Sequence, residues 1–325
     1  MNEIRRYVFR VDATFLTGAG HFKRCLTIAH ELQSYGLINI FVGNFEIPWI
    51  LDELKENRIE HCGSEDFKSS SKDILILDKY DLDYKFLDKN NFSKKIQIID
   101  SSTSLIESDL YLHMGPDASF VKPKLANNSK VLWGLKYLAT RKFSNSNKFK
   151  NNEIIARDLL IVGGGTDTHS FSKSIINSLE SIEMQNIEIH IMSDELFYNH
   201  KELANNIHFH KLGGDLDKLM SHVDTVITTA GTSSWDFIAN KKVVGIALAV
   251  DNQIPNFTFQ IENEFVLEIG TYNDESGWDI SAEAIKSLVF NNELRSKLLK
   301  NSASKVDLKG PKRVAAEIIA LANSL

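Results

Sequence analysis

Two cysteines in 325 residues are too few for a disulfide framework. Cys25 and Cys62 also fit no metal-ligand spacing. Cys25 reads as a buried helix residue and Cys62 as the end of a strand. Their scarcity suits a reducing cytoplasm, where the chain is expected to reside. A basic excess is missing as well. Net charge is −6, with no long block of either sign, which argues against a nucleic-acid surface. An anionic small molecule stays open as a ligand, because a few local donors hold one. No apolar run approaches the ~20 residues of a membrane span. The longest clear one, Val243 to Val250, reads as a buried strand. Residues Met1 to Arg6 lack the apolar core of a signal peptide. Peripheral membrane association is the one membrane role left open. What remains is a globular composition, 43% hydrophobic and 25% charged, with a mixed-charge surface that suits a monomer.

What is present is alternation. Strand candidates Arg6–Val11, Ile38–Val42, Ile59–Cys62, Asp73–Leu77, Lys95–Ile99 and Leu110–His113 are separated by helix candidates Phe22–Tyr35, Ile47–Asn57 and Leu82–Asn90. This pattern predicts a parallel sheet with helices on both faces. Ser144–Asn152 is polar and turn-rich and reads as a linker. A second series follows. Its strands are Asp158–Val162, Ile187–Met192, Ile207–His210, Thr225–Thr229, Val243–Ala247 and Phe265–Leu267. Its helices are Ser170–Met184, Asp215–His222, Ser234–Ala239, Ala282–Phe290, Glu293–Val306 and Gly310–Ser324. The fold class is α/β, two doubly wound Rossmann-like domains in tandem, over 1–148 and 149–325. The last helix is free to pack back on the first domain. The cleft between two such halves is the natural ligand site.

The strongest local signal is Arg10-Val-Asp12-Ala13-Thr14 followed by Gly18-Ala-Gly20-His21 and Arg24-Cys25. It lies where a strand hands over to a helix, and backbone amides point outward there. Gly18 and Gly20 let a large substrate approach the backbone. His21 is the side chain best suited to moving a proton near neutral pH. Two further strand ends are built from small residues. One is Gly163-Gly164-Gly165-Thr166-Asp167. The other is Ala230-Gly231-Thr232-Ser233-Ser234-Trp235-Asp236. Amides, hydroxyls and a helix N-terminus together make a phosphate site without a lysine. Asp236 falls in the first helical turn, within reach of a ribose, or there to complement the helix dipole. Ser233 or Ser234 also suits a plain helix cap. Asp251-Asn252-Gln253 sets three polar side chains after another strand, or forms an ordinary turn.

On these motifs the chain resembles the UDP-sugar hydrolases of pseudaminic acid biosynthesis (PseG-type), relatives of the MurG-like glycosyltransferases. The family opens with Arg-x-Asp-Ala-Ser, Gly-x-Gly-His and Arg-Cys-Leu, read here at Arg10 to Leu26. Its Gly-Gly-Ser-Asp appears as Gly164-Gly165-Thr166-Asp167, and its Gly-Ser-Thr-Ser-Trp-Glu as Gly231 to Asp236. Its acidic-Asn-Gln is Asp251-Asn252-Gln253. A terminal Asp-Gly-x-Gly and Arg-Val is similar to Asp307 to Gly310 with Arg313-Val314. Departures concentrate in the first half: Ile99-Asp100-Ser101-Ser102 replaces Ile-Asp-Asp-Leu, Met114-Gly115-Pro116 stands near an expected Asp-Gln-Asn, and Gly134 to Phe143 is a reduced match.

The resemblance implies the two-domain GT-B fold and hydrolysis of a UDP-activated diacetamido-trideoxy sugar at its anomeric carbon, with inversion. It implies no metal and no cofactor. His21 is expected to be the general base, and Asp12 to orient it or hold a sugar hydroxyl. Arg24, Asp78, Asp100, Tyr137 and Arg141 are expected substrate contacts beside Gly18 and Gly20. Gly164, Gly165, Thr166, Gly231, Thr232, Ser233, Ser234, Asp236, Asn252 and Gln253 are expected on the nucleotide. The rival reading is an inverting GT-B glycosyltransferase of surface polysaccharide synthesis, in which a sugar hydroxyl replaces water.

Overall fold

The computed structural model describes residues 5–100, 103–116, 129–143, 155–184, 186–195, 205–213 and 216–324. The expected linker at 144–152 and the boundary at 148/149 lie outside the described residues, as does Asp215. The chain forms two compact units. One holds Met1–Thr140 together with Lys309–Leu325, the other Arg141–Leu308.

The first unit contains seven parallel strands: β1 (Arg6–Val11), β2 (Ile38–Val42), β3 (Glu60–Cys62), β4 (Ile74–Asp78), β5 (Lys94–Ile98), β6 (Leu110–His113) and β7 (Lys130–Trp133). Their spatial order is β3-β2-β1-β4-β5-β6-β7. A parallel sheet is covered on both faces, so its central strands are apolar on both. In β1, Tyr7, Phe9 and Val11 face one core, while Val8 faces the other. The first core takes Phe22, Cys25, Ile28, Ala29 and Leu32 from helix α1 (Gly20–Ser34), whose apolar residues recur at helical spacing. The second takes Phe67 and, from α3 (Tyr84–Lys89), Phe86. Helix α2 (Pro48–Glu56) contributes Ile50 and Leu54 to the first.

The second unit repeats the plan. Strands β8 (Asp158–Val162), β9 (Glu188–Met192), β10 (Ile207–His210), β11 (Thr225–Thr229), β12 (Val243–Leu248), β13 (Leu267–Asn273) and β14 (Gly277–Ile280) lie in the order β10-β9-β8-β11-β12-β13-β14. All are parallel except β14, which closes a hairpin with β13. Helices α4 (Phe171–Leu179), α5 (Leu216–Leu219), α6 (Ser233–Ala239), α7 (Ile254–Glu262), α8 (Ala282–Phe290) and α9 (Asn292–Ala303) complete it. The α/β class and the two doubly wound sheets are as read from the sequence. Strands β7 and β14 and helix α7 are additions. Strand β13 begins at Leu267, where the sequence reading ended a strand.

Helix α10 (Gly310–Asn323) returns to the first unit. Val314, Ala315 and Ile318 join the core that contains Phe9 and Leu32. Its first turn lies directly on the chain at Leu138: a Cβ on Gly310 would fall on the Leu138 carbonyl oxygen. Arg313 Nη1 donates to the Lys136 carbonyl at 3.0 Å. Gly310→Ala is therefore expected to act as an overpacking substitution and to cost about 1–3 kcal/mol or more in denaturant unfolding. A wild-type midpoint in that variant would show that close seating of α10 is dispensable.

Candidate active site

Where the strand order reverses, loops leaving neighbouring strands diverge and open a crevice. In the first unit this point lies between β1 and β4. It gathers His21 and Arg24 from the start of α1 and Asp78 from the end of β4. His21 Nδ1 lies 2.6 Å from Asp78 Oδ1. Arg24 Nε donates to Asp78 Oδ2 at 2.6 Å, and Arg24 Nη2 donates to Oδ1. Arg24 Nη2 is also 2.9 Å from His21 Nδ1. Both cannot be hydrogen bonds to one nitrogen. Burial penalises an Asp78 carboxylate, but Arg24 and His21 outweigh it and hold the group well below the usual carboxylate range. An ionised carboxylate accepts only. Nδ1 therefore carries the proton and donates to Asp78, and the guanidinium is a neighbour by charge. The lone pair is left on Nε2, the ring nitrogen turned away from the carboxylate's hydrogen bond. A histidine oriented in this way by a buried carboxylate is arranged as a general base.

The carboxylate behind His21 is thus Asp78, and Asp12 serves elsewhere. Asp12 accepts from Arg10 Nη1 at 2.6 Å, from the Asn44 amide at 2.9 Å and from Lys79 Nζ. Burial opposes its charge, yet these partners lower its pKa. Arg10, only 4% exposed, also reaches Asp83 at 2.7 Å. Asp83 in turn accepts the Phe86 amide as the cap of α3. Asp12 so ties the ends of β1, β2 and β4 into one rim.

Tyr80 is a residue that the sequence reading passed over. Its ring meets His21 edge-on at 4.6 Å between centroids. Burial, and then Asp100, push its phenol up to about 12. Tyr80 therefore stays protonated and hydrogen-bonds Asp100, which also raises the Arg24 guanidinium. Asp100 caps its own turn through Thr103 Oγ1 at 3.0 Å. The loop before α1 is held by a reciprocal pair: Thr17 N donates to Thr14 Oγ1 and Thr14 N to Thr17 Oγ1. Gly18 closes this loop at φ +70°, and Gly20 opens the helix. Phe15 and Leu16 project from it, 67% and 95% exposed. Tyr137 is not in this group; it is buried in the core that α10 completes.

The second unit has its own reversal between β8 and β11. The strand ends continue as Gly163–Thr166 and Ala230–Ser233. The two loops are neighbours: a Cβ on Gly164, whose φ is +84°, would lie 3.7 Å from Thr229 Oγ1. Amides of Gly164, Gly165, Thr166, Thr232 and Ser233 have no partner among the described residues. Asp167 holds the first loop to α4 by accepting from Ser172 N and Oγ at 3.0 and 2.9 Å. Gln253 reaches the second loop, with Nε2 3.6 Å from the place of a Gly231 Cβ, while its Oε1 accepts from Ala249 N at 3.2 Å. Asn252 beside it is exposed.

Three nominated residues have partners within the second unit. Ser234 is fully buried, donates to the Gly231 carbonyl and accepts from Gln260 Nε2. Asp236 Oδ1 accepts the Arg141 amide at 2.7 Å. The Arg141 guanidinium lies 3.8 Å from Asp217. One cluster among the described residues has the make-up of a metal site, and it lies away from these loops, at Asp158, His190 and His222.

Asp12, Asp78 and Asp83 all have depressed pKa values in the folded chain. Unfolded, each takes up a proton near pH 4; folded, each holds out to lower pH. The stability they contribute is complete above about pH 4 and drains away as pH falls through the folded values. Acid unfolding is expected to take up protons below about pH 4, and Asp78→Asn to take up fewer. Equal uptake by the two proteins, measured by potentiometric titration, would contradict the pairing of Asp78.

No family model and no curated relative matches the chain. Solved structures do. A Staphylococcus aureus MnaA–UDP complex aligns with TM-score 0.65 at 12% identity, over 99% of this chain and 98% of that one. The glycotransferase of kitacinnamycin aligns with TM-score 0.63 at 11% identity, over 98% and 99%. Acinetobacter baumannii MurG aligns with TM-score 0.53 at 11% identity, over 98% and 100%. At these identities the likeness carries the fold, and it runs through the whole chain: two Rossmann-like domains in tandem, the GT-B architecture.

Proposed function

We propose that the chain breaks the anomeric C–O bond of a nucleotide-diphosphate sugar, with inversion. The observation that carries this reading is the Asp78–His21 pair, a buried carboxylate holding one ring nitrogen and leaving the other as acceptor. Nε2 of His21 takes a proton from an attacking O–H. The oxygen forms a bond to the anomeric carbon, and the pair of electrons in the breaking bond leaves on the diphosphate. Free amides at Gly164, Gly165, Thr166, Thr232 and Ser233 receive that negative charge, as preorganised donors at loop and helix starts do. The reading assigns the proton to the first unit and the phosphates to the second.

The attacking O–H belongs to an acceptor alcohol or to water. Likeness to two proteins described as a glycotransferase and as MurG supports transfer. The Gly-x-Gly-His and Gly-Thr-Ser-Ser-Trp-Asp motifs support hydrolysis of a UDP-linked diacetamido-trideoxy sugar. Phe15 and Leu16 favour an acceptor, since an apolar loop beside the base is a surface for a partner larger than water.

The test is to incubate the purified chain with UDP-2,4-diacetamido-2,4,6-trideoxy-β-L-altrose and follow UDP release and the anomeric proton by NMR. Release without acceptor assigns water; release only with an added saccharide or lipid-linked acceptor assigns transfer. In either case His21→Ala is expected to lose about 10²–10⁴ in rate while still binding UDP. Full turnover by that variant would remove His21 as the base. Gly164→Val is expected to weaken UDP binding, read by calorimetry, because its φ of +84° strains any side chain.

A further inference from the structure

A second cluster of chemistry lies in the other half of the β8–β9–β10 layer and takes no part in the reaction above. Asp158 opens β8, His190 sits in the middle of β9, and His222 precedes β11. One ligand atom from each lies within 4.8 Å of the others. His190 is 8% exposed, and its Nε2 is buried without a hydrogen-bond partner. The nearest carboxylate oxygen, Asp158 Oδ1, is 3.5 Å away. The opposite nitrogen is engaged: Nδ1 lies 3.1 Å from His210 Nε2 on β10. His208 stacks on His190 at 5.2 Å but gives its Nε2 to Glu188 at 2.7 Å.

From this geometry we infer a transition-metal site of the zinc class, with Asp158, His190 Nε2 and His222 as ligands. A ligating histidine donates its other N–H to a second group that fixes the ring. His190 Nδ1–H to His210 Nε2 is that arrangement, and it leaves Nε2 as the lone pair facing Asp158. Zinc at about 2.0–2.1 Å from each donor holds its ligands roughly 3.3 Å apart. His190 Nε2 and Asp158 Oδ1, 3.5 Å apart, already stand near that spacing, and His222, within 4.8 Å of both, closes by at most about 1.5 Å as the ion enters. Two imidazoles and one carboxylate favour a borderline cation over magnesium or calcium, which demand a shell of oxygens. The site is separate from the glycine loop: Asp158 and Gly163 stand at opposite ends of β8, about 16 Å apart along a strand. The ion is a cross-link between β8, β9 and the turn before β11, and the reaction does not pass through it.

The experiment uses the full chain, free of any affinity tag and dialysed against chelator. Zinc(II) is titrated by calorimetry, and cobalt(II) by its visible absorption. One equivalent of zinc, the intense spectrum of four- or five-coordinate cobalt and a rise in Tm are expected. His222→Gln and Asp158→Asn are each expected to weaken binding at least tenfold, with UDP affinity unchanged. His210→Ala, which removes only the outer partner, is expected to cost about 10–100-fold. If His190→Gln fails to fold, the half-buried His222 still decides the matter. Absence of stoichiometric binding overturns the inference. So does binding that survives unaltered in both His222→Gln and Asp158→Asn.

Discussion

A carboxylate at the end of a central strand, sealed from water, governs the first unit. Asp78 cannot remain charged there on its own, because burial penalises the ion heavily. It stays charged because Arg24 meets both of its oxygens and His21 meets one. That requirement fixes the rotation of α1 about its axis. His21 and Arg24 are three apart, on one face of the helix, and Cys25 beside them brings its Sγ within 3.5 Å of the same carboxylate. Burial pushes the Cys25 thiol up, so it stays a neutral packing group. The sheet positions the aspartate, the aspartate positions the histidine, and the proposed chemistry begins at the far nitrogen of that ring.

How much of this is legible in the sequence depends on the range over which a residue meets its partner. The strands of both sheets stand out because parallel strands are apolar on both faces; Ile74 to Leu77 is an uninterrupted run. The β13–β14 hairpin does not stand out. Its residues Leu267–Asn273 and Gly277–Ile280 are mostly half-exposed or exposed, next to or at the sheet edge, and carry Gly, Asn and Asp among the apolar ones. Helix α7 hides behind Pro255 and the modest helix propensity of Asn256 and Thr258. His21 was visible as a candidate base because its glycine frame is local. Its partner was not, because 57 residues separate Asp78 from it, while Asp12 lies much nearer in the chain and invites the pairing. Tyr80 carries no pattern at all; only its packing against His21 gives it meaning. Asp236 and Ser234 show the converse: their motif was plain, but its hydrogen bonds turn out to serve backbone and helix.

The two units share one strand order and differ in the residues at their reversal points. The first places charged side chains there, Asp78, Arg24 and Asp100, with His21 among them. The second places absence of side chains, in Gly163 to Gly165 and Gly231, with amides left over. A fold that recurs with so little shared sequence sets only where loops converge. Chemistry is then a matter of which side chains, or none, occupy those few positions.

Helix α10 has a consequence for how the chain is made. The second unit is one unbroken stretch, Arg141–Leu308, lodged between two pieces of the first. On a ribosome it is complete, and free to fold, before the helix that finishes its neighbour has been synthesised. Until then the first unit must wait with the apolar surface around Phe9, Leu32 and Leu132 short of its cover. A partly built sheet with an open apolar face is prone to aggregation and to chaperone capture. The order of synthesis thus lets the second unit form first and leaves the unit carrying the His21–Asp78 pair the last to close.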